Sequence, residues 1–449
     1  MDVNALTRII TAIVGWTASV FYRLEQSGGP VPGGPVLVVA NHPNSLLDPL
    51  IVFRTAGRPT RPLAKAPLFD QVFVGAILRG LGGLPVYRRQ DDTSQMHRND
   101  ETFRRAIDAL RAGDAVQIYP EGLSHSEPGI APLRTGAARI ALGAEAATSW
   151  TLSLRIVPVG ITYRRKALFR GRALATIGEP FTIARMRADY EADPASAVRV
   201  LTDEIGKHLE AVTLSLTHAE DESLIETAER IYTRQKGWAG WRERDPLAER
   251  LPRLQAFARG LAWLRAHDAP RFERLARDVR RYERQRAQLG ADEADVPPRY
   301  PVWSVVRYAL TEALLLGLAL PLAAIGAALW YPAYVAPRIA VRLIAPDPEA
   351  IATYKLATGF VVVPLTVLIL AIATGWLWGV PVALATSAAL PLLGILALFW
   401  RERFDDVRED ARVFFRLLRH PRRRDRLATR RARLVRAFDA VLAEMERAA

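Results

Sequence analysis

Apolar positions along the chain follow three successive rhythms. Leu6, Ile9, Ile10, Ile13, Val14, Val20 and Phe21, with Trp16 beside them, mark a mostly apolar helix that carries Arg8 and ends at Tyr22-Arg23. It is too short and interrupted for a membrane span and lacks the small-residue cleavage site of a signal peptide. Residues 1–24 therefore read as an interfacial helix with Trp16 and Tyr22 at headgroup level, the alternative being a helix packed on its own domain. From 25 to 215, strand-like and helix-like runs alternate. Val36-Leu37-Val38-Val39, Gly82 to Arg88, Ala115 to Tyr119 and Arg155 to Tyr163 read as strands, and Pro49 to Thr55, Asn99 to Arg111 and Thr135 to Ala147 as helices. This alternation predicts an α/β domain with a largely parallel sheet, in which ligands gather at the carboxyl ends of the strands.

The third rhythm belongs to long helices. Across 216–300, charge rises while Gly and Pro thin out, and Glu220 to Arg234, Leu247 to His267 and Pro270 to Leu289 read as amphipathic helices with stripes such as Leu251, Leu254, Phe257 and Leu261. Asp292 to Pro301, acidic and then Pro-rich, reads as a linker. Residues 301–400 read as membrane-embedded helices. Tyr308 to Pro337 is uncharged apart from Glu312, and Ala357 to Trp400 has no charged side chain and holds two spans with a turn near Gly379-Val380-Pro381. Arg338, Arg342 and Lys355, together with the basic stretch after Trp400, belong on the cytoplasmic side by the positive-inside tendency. That favours an even number of crossings, with Leu310 to Trp330 as a re-entrant hairpin broken at Pro321 or an interfacial element. Residues 401–449 form a basic helical tail with 15 Arg against 9 acidic residues.

Charge sharpens this picture. The 449 residues hold 61 Lys and Arg against 47 Asp and Glu, a net charge of +14. Such a surplus suits an anionic partner, and the apolar spans select an anionic lipid surface over nucleic acid. With no Cys, disulfides and thiolate metal sites are excluded, and the seven His are scattered without metal-ligand spacing.

Candidate chemistry gathers at strand ends. Val36–Val39 runs into Ala40-Asn41-His42-Pro43-Asn44-Ser45-Leu46-Leu47-Asp48-Pro49, which delivers His42 into a loop. Asp48, before a proline, reads as an N-cap able to meet His42 across that loop. The strand at Ala115 leads into Pro120-Glu121-Gly122-Leu123-Ser124, and Arg88 and Arg89 follow the strand near Val86. Each feature has a plain structural reading as well: a hydrogen-bonded surface His, a Pro-Gly turn, a solvated basic pair.

In order, these blocks resemble the glycerophospholipid acyltransferases of the PlsC type. The family's four blocks are matched by His42 with Asp48, by Gly82 to Arg88, by Tyr119 to Ser124, and by Ile156-Val157-Pro158-Val159-Gly160, over about 130 residues. In this family four residues usually separate the His and Asp, whereas here Pro43 to Leu47 intervene. The longer spacing resembles the fungal-type glycerol-3-phosphate and dihydroxyacetone-phosphate acyltransferases. The order of domains, with Ala352-Thr353-Tyr354-Lys355 inside the apolar block, resembles their bacterial relatives.

The resemblance implies a membrane-bound O-acyltransferase of phospholipid biosynthesis, acting from an acyl thioester (acyl-CoA or acyl carrier protein) on a phosphate-bearing glycerolipid acceptor, with no cofactor and no metal. His42 is then the base and Asp48 its orienting partner. Arg88 matches the phosphate-side arginine, Glu121 with Gly122 lies beside the acceptor, and Lys65 and Arg134 are further phosphate-binding residues. The implied location is a bacterial inner membrane with the catalytic domain cytoplasmic. A catalytically silent lipid-binding or scaffold protein of the same fold is the rival reading.

Overall fold

The computed structural model describes residues 3–88, 97–127, 129–216, 218–236, 246–289, 302–419 and 421–448. Arg89 and the linker expected at Asp292 to Pro301 lie outside them. The chain divides into two compact units. The first comprises Met1–Ala219 together with Pro246–Gln255 and Asp347–Thr353, two stretches that the sequence reading assigned to the helical and membrane regions.

The first unit contains α1 (Val3–Phe21), β1 (Tyr22–Ser27), β2 (Val36–Ala40), α2 (Leu47–Thr55), β3 (Thr60–Lys65), α3 (Val72–Gly80), β4 (Leu84–Val86), α4 (Asn99–Arg111), β5 (Ala115–Ile118), α5 (Gly136–Ala146), β6 (Arg155–Arg164), β7 (Gly171–Ile177), β8 (Phe181–Thr182), α6 (Arg187–Ala192) and α7 (Pro194–Val212). The sheet runs β1-β7-β6-β2-β5-β3-β4, with β8 also on β6. All pairings are parallel except β6–β7 and β6–β8, so the expected largely parallel α/β architecture is the one formed. β2 is wholly buried between β5 and β6, which is why it reads as an unbroken apolar run. Leu37 and Val39 share one core with Ala106 and Leu110 of α4, Ile140 of α5 and Leu201, Ile205 and Leu209 of α7.

Two expectations about the first residues change. The helix ends at Phe21, and Tyr22 opens an edge strand in parallel register with β7, from Tyr22↔Gly171 to Ser27↔Thr176. Tyr22 is fully buried, so it does not lie at headgroup level. α1 is inverted in polarity. Thr11, Gly15, Thr17 and Ala18 are buried, and a Cβ on Gly15 would lie 3.0 Å from the Arg54 nitrogen of α2. Ile9, Ile13, Trp16 and Val20 are exposed, Trp16 by 62%.

α2 begins at Leu47, two residues earlier than expected, so Asp48 lies in the first turn and is not the N-cap. The reason is the turn before it: Leu47 N donates to Asn44 O at 3.1 Å and Asp48 N to Ser45 O at 3.3 Å, extending helical pairing back across the Asp-Pro step.

The second unit contains α8 (Glu222–Lys236), most of α9 (Leu247–His267), α10 (Ala269–Leu289), α11 (Val302–Ile344), α12 (Ile351–Trp378, from Tyr354 onward), α13 (Val380–Arg419) and α14 (Pro421–Ala448). Val306–Ile344, Ile351–Trp378 and Val380–Arg408 are each long and apolar enough to cross a membrane. The turn expected at Gly379 falls between α12 and α13, at φ +88°. α11 runs unbroken through Pro321, so no re-entrant hairpin forms there. Pro321, Pro332 and Pro337 all lie inside α11, and each removes a backbone donor without ending the helix, as apolar helices tolerate. α11 and α13 are tied by Trp330 Nε1 to Leu390 O and Trp400 Nε1 to Leu316 O, both 2.9 Å, and Glu312 pairs with Arg403. The tail is helical, but α14 is no free basic arm. Leu427, Leu434, Val435, Phe438 and Val441 are buried, Tyr232 donates to Asp439 at 2.7 Å, and Arg271 pairs with Glu444 at 2.6 Å.

In the first unit, β6 meets the end of α7 so closely that a Cβ on Gly160 would fall 1.9 Å from Val212 O, whereas one on Gly33 meets nothing within 4 Å. Gly160→Ala is expected to cost about 3 kcal/mol of stability and Gly33→Ala under about 0.5 kcal/mol, read as thermal unfolding of the detergent-solubilised protein.

Candidate active site at the carboxyl ends of β2 and β5

Parallel register brings two sequence blocks together. Val36↔Ala115 through Val39↔Ile118 puts the carboxyl ends of β2 and β5 side by side, so the chain leaves both strands into one loop cluster. Asn41 anchors the first exit: its Nδ2 donates to Ile161 O at 3.0 Å and its Oδ1 accepts from Ile161 N at 2.7 Å, continuing the β2–β6 ladder with a side chain.

His42 follows, held from four directions. Its Nδ1 lies 2.8 Å from Asp48 Oδ2, its ring stacks on Tyr119 at 4.2 Å between centroids, its backbone N–H donates to Glu121 Oε1 at 2.8 Å, and its carbonyl accepts from His125 N at 3.3 Å. Asp48 is fully buried and has three donors, because Asn44 N gives to Oδ2 at 2.7 Å and the Tyr163 hydroxyl to Oδ1 at 2.6 Å. A carboxylate facing Nδ1 selects the tautomer with its proton there, which leaves the lone pair on Nε2. Burial, reinforced by the Asp48 charge, pushes the Tyr163 hydroxyl well above its usual pKa, so it remains a neutral donor. Burial does the same to Tyr119 and, with Asn44 opposing, to Tyr22.

Glu121 is a second buried carboxylate. Oε1 accepts from His42 N, and Oε2 accepts from Ala131 N at 2.7 Å and pairs with His125 Nε2. These partners make it a brace for the two loops. Gly122 stands at φ +72°, the left-handed turn a glycine accommodates without strain. Arg88 Nη1 lies 3.4 Å from Gly122 O, and the Arg134 side chain runs over Gly122, within 3.2 Å of where a Cβ would stand. Arg134 N donates to Pro120 O at 2.7 Å. Two of the sequence-derived cationic residues therefore converge on one turn. Lys65 ends β3 opposite Val86 of β4, two residues before Arg88, and its side chain is exposed.

Sequence reasoning passed over Asn44, Tyr163, Tyr22 and His125. Asn44 lies inside the first block and donates through Nδ2 to the Tyr22 hydroxyl at 2.7 Å. Tyr163 is the penultimate residue of the strand that carries the fourth block, which is the one signal that pointed toward it. Among the described residues no three His, Asp or Glu side chains are grouped to hold a metal ion.

The Acyltransferase family pattern matches residues 23–162, which span all four blocks. Glycerol-3-phosphate O-acyltransferase 2 of Saccharomyces cerevisiae is 30% identical over 203 residues, 44% of this chain and 26% of that protein. Glycerol-3-phosphate O-acyltransferase 1 of the same yeast is 31% identical over 136 residues, 30% of this chain and 18% of that protein. An uncharacterised acyltransferase of Schizosaccharomyces pombe is 25% identical over 458 residues, 77% of this chain and 65% of that protein. The chain thus spans about a quarter or less of the two S. cerevisiae relatives. The solved 1-acyl-sn-glycerophosphate acyltransferase PlsC of Thermotoga maritima aligns with 45% of this chain and 80% of its own, at 18% identity and a TM-score of 0.33. The relatives by sequence are yeast proteins and lend no support to a bacterial inner membrane. The chain carries, over residues 23–162, an acyltransferase domain whose homologues include yeast glycerol-3-phosphate O-acyltransferases.

Proposed function

We propose that the chain is a membrane-bound O-acyltransferase of phospholipid biosynthesis that moves a fatty acyl group from acyl-CoA or acyl carrier protein to a hydroxyl of glycerol-3-phosphate or 1-acylglycerol-3-phosphate. The observation that carries the reading is the His42–Asp48 contact of 2.8 Å at the exit of β2, inside an acyltransferase domain. His42 Nε2 takes the proton of the acceptor hydroxyl as its oxygen attacks the thioester carbonyl carbon. The Asp48 carboxylate stabilises the imidazolium that forms. The tetrahedral oxyanion then collapses, the C–S bond breaks, and the leaving thiolate takes the proton back, yielding an ester and a thiol. With no Cys in the chain, the acceptor oxygen itself is the nucleophile in this scheme.

The cations support the choice of acceptor. Arg88 and Arg134 meet at Gly122, and Lys65 ends a neighbouring strand, a set suited to a phosphate beside the reacting hydroxyl. The outward apolar face of α1 suits an interfacial helix, and three long apolar helices suit an integral membrane protein. Asp347–Thr353, in the connection between α11 and α12, belongs to the same compact unit as the catalytic domain, and Arg338, Arg342 and Lys355 flank it, which favours a cytoplasmic catalytic unit.

Membranes containing the protein are expected to release thiol from acyl-CoA only when glycerol-3-phosphate or a lysophospholipid is added. His42→Ala is expected to lower turnover by about 10³-fold or more, and Asp48→Asn by a similar order, with folding retained by thermal unfolding. Near-normal turnover in folded His42→Ala would overturn the base assignment, and no acceptor-dependent release from wild type would favour a silent scaffold. Arg88→Ala is expected to raise KM for the acceptor by about 10-fold or more and leave KM for the donor within about 2-fold; equal changes in both would make Arg88 structural. In sealed vesicles, protease at the cytoplasmic face is expected to cleave the catalytic unit, and protection there would reverse the orientation.

A further inference from the structure

Beside His42 lies a set of polar groups that neither the dyad nor the Arg88, Arg134 and Lys65 set employs. Lys166, in the β6–β7 hairpin, donates from Nζ to Pro43 O at 2.9 Å, one residue from His42, and to Ser126 Oγ at 2.6 Å. The Ser126 hydroxyl in turn bonds Oε1 of Glu349, from the Asp347–Thr353 segment that belongs to the same compact unit. Burial lowers the Lys166 pKa, opposed by the Glu349 and Asp48 charges. The Glu349 carboxyl is held below its usual range chiefly by the Ser126 hydrogen bond, with Lys166 and His125 adding to the effect. Adjacent to Ser126, His125 buries Nδ1 with no hydrogen-bond partner among the described residues.

The Ser126 hydroxyl binds the Glu349 carboxylate directly, and Lys166, bonded to the same hydroxyl, adds its charge from beside it, which is the chemistry of an anion site. A phosphate fills such a site better than a carboxylate does, because it carries more charge toward the ammonium and more acceptor oxygens for neighbouring donors. A buried polar nitrogen left without a partner also costs free energy that an incoming acceptor or donor would recover. Glu349 sits at the surface and is delivered by a chain segment, so its carboxylate can leave without unfolding the catalytic sheet.

We propose that Lys166 Nζ and Ser126 Oγ form a phosphate subsite beside His42, and that Glu349 occupies it as an internal stand-in which a phosphate-bearing substrate displaces. The source of the phosphate, acceptor or acyl-CoA donor, rests on the acyltransferase reading above; the subsite itself rests on the contacts.

Calorimetric titration of the full chain in lipid nanodiscs with inorganic phosphate, glycerol-3-phosphate and CoA tests this. If the open form is about one tenth of the population, Glu349→Gln tightens phosphate binding about tenfold. Adding Lys166→Ala or Ser126→Ala to Glu349→Gln is expected to abolish the gain, and adding Lys166→Arg, which keeps the charge and the Pro43 contact, to retain it. A gain confined to glycerol-3-phosphate assigns the subsite to the acceptor, and one confined to CoA assigns it to the donor. Identical affinities of wild type and Glu349→Gln for all three ligands overturn the proposal, as does a gain that survives Lys166→Ala and Ser126→Ala alike. Failure of the acyltransferase reading is distinct: turnover is then absent and neither glycerol-3-phosphate nor CoA binds, while inorganic phosphate still separates wild type from Glu349→Gln.

Discussion

A carboxylate removed from water must be fully engaged or it unfolds what surrounds it, and Asp48 is wholly buried. Its three donors come from three places: the loop leaving β2, the turn at Asn44, and the end of β6. Loss of one hydrogen-bond partner from a buried group costs about 1–3 kcal/mol, so Asp48 acts as a constraint on all three segments at once. The His42 ring inherits its position from that constraint. Its tautomer follows from the partner on Nδ1, and Tyr119 fixes the plane from the side. The same bonds that keep the loop folded leave Nε2 as the basic nitrogen.

Glu121 repeats the device one strand away. Its donors are the backbone of His42, the backbone of Ala131 and the ring of His125, so the exits of β2 and β5 are joined through a buried anion as well as through the ladder beneath them. Two buried carboxylates therefore bracket one histidine, each stabilised by donors that the other's loop helps to place. Such networks hold strongly where their members are satisfied, as the oxygens of both carboxylates are here.

Much of this was legible in the residues. The unbroken run of β2, the Pro-Glu-Gly exit of β5 and the Pro158 strand appear in order, and parallel topology alone sends their ends to one place. Amphipathic stripes placed α9 at Leu247–His267 to the residue. What was hidden depended on partners distant in sequence. β1 reads as the end of a helix because Tyr22-Arg23-Leu24-Glu25 has little β character alone, and only its pairing with β7 makes it a strand. Tyr163 is one more aromatic in a strand until Asp48, 115 residues away, accepts its hydroxyl. Pro321 looked like a break, and an apolar helix packed on α13 runs through it.

The five residues between His42 and Asp48, the detail by which this chain departs from the commoner four-residue spacing, have a structural consequence of their own. Within this stretch lies the Asn44–Ser45 turn, where Ser45 adopts φ +46°, a left-handed conformation that costs a non-glycine residue about 1–3 kcal/mol. Ser45 N donates to Ser124 Oγ at 2.9 Å, and Asn44 N to Asp48, so the strained turn is held by bonds to both carboxylate-bearing segments. The turn thus combines backbone strain with a cross-link between the histidine block and the glutamate block. Pro43, directly after His42, presents its carbonyl to Lys166. The loop between His42 and Asp48 is in this way joined through Pro43 to the hairpin, and through Lys166 and Ser126 to the segment bearing Glu349.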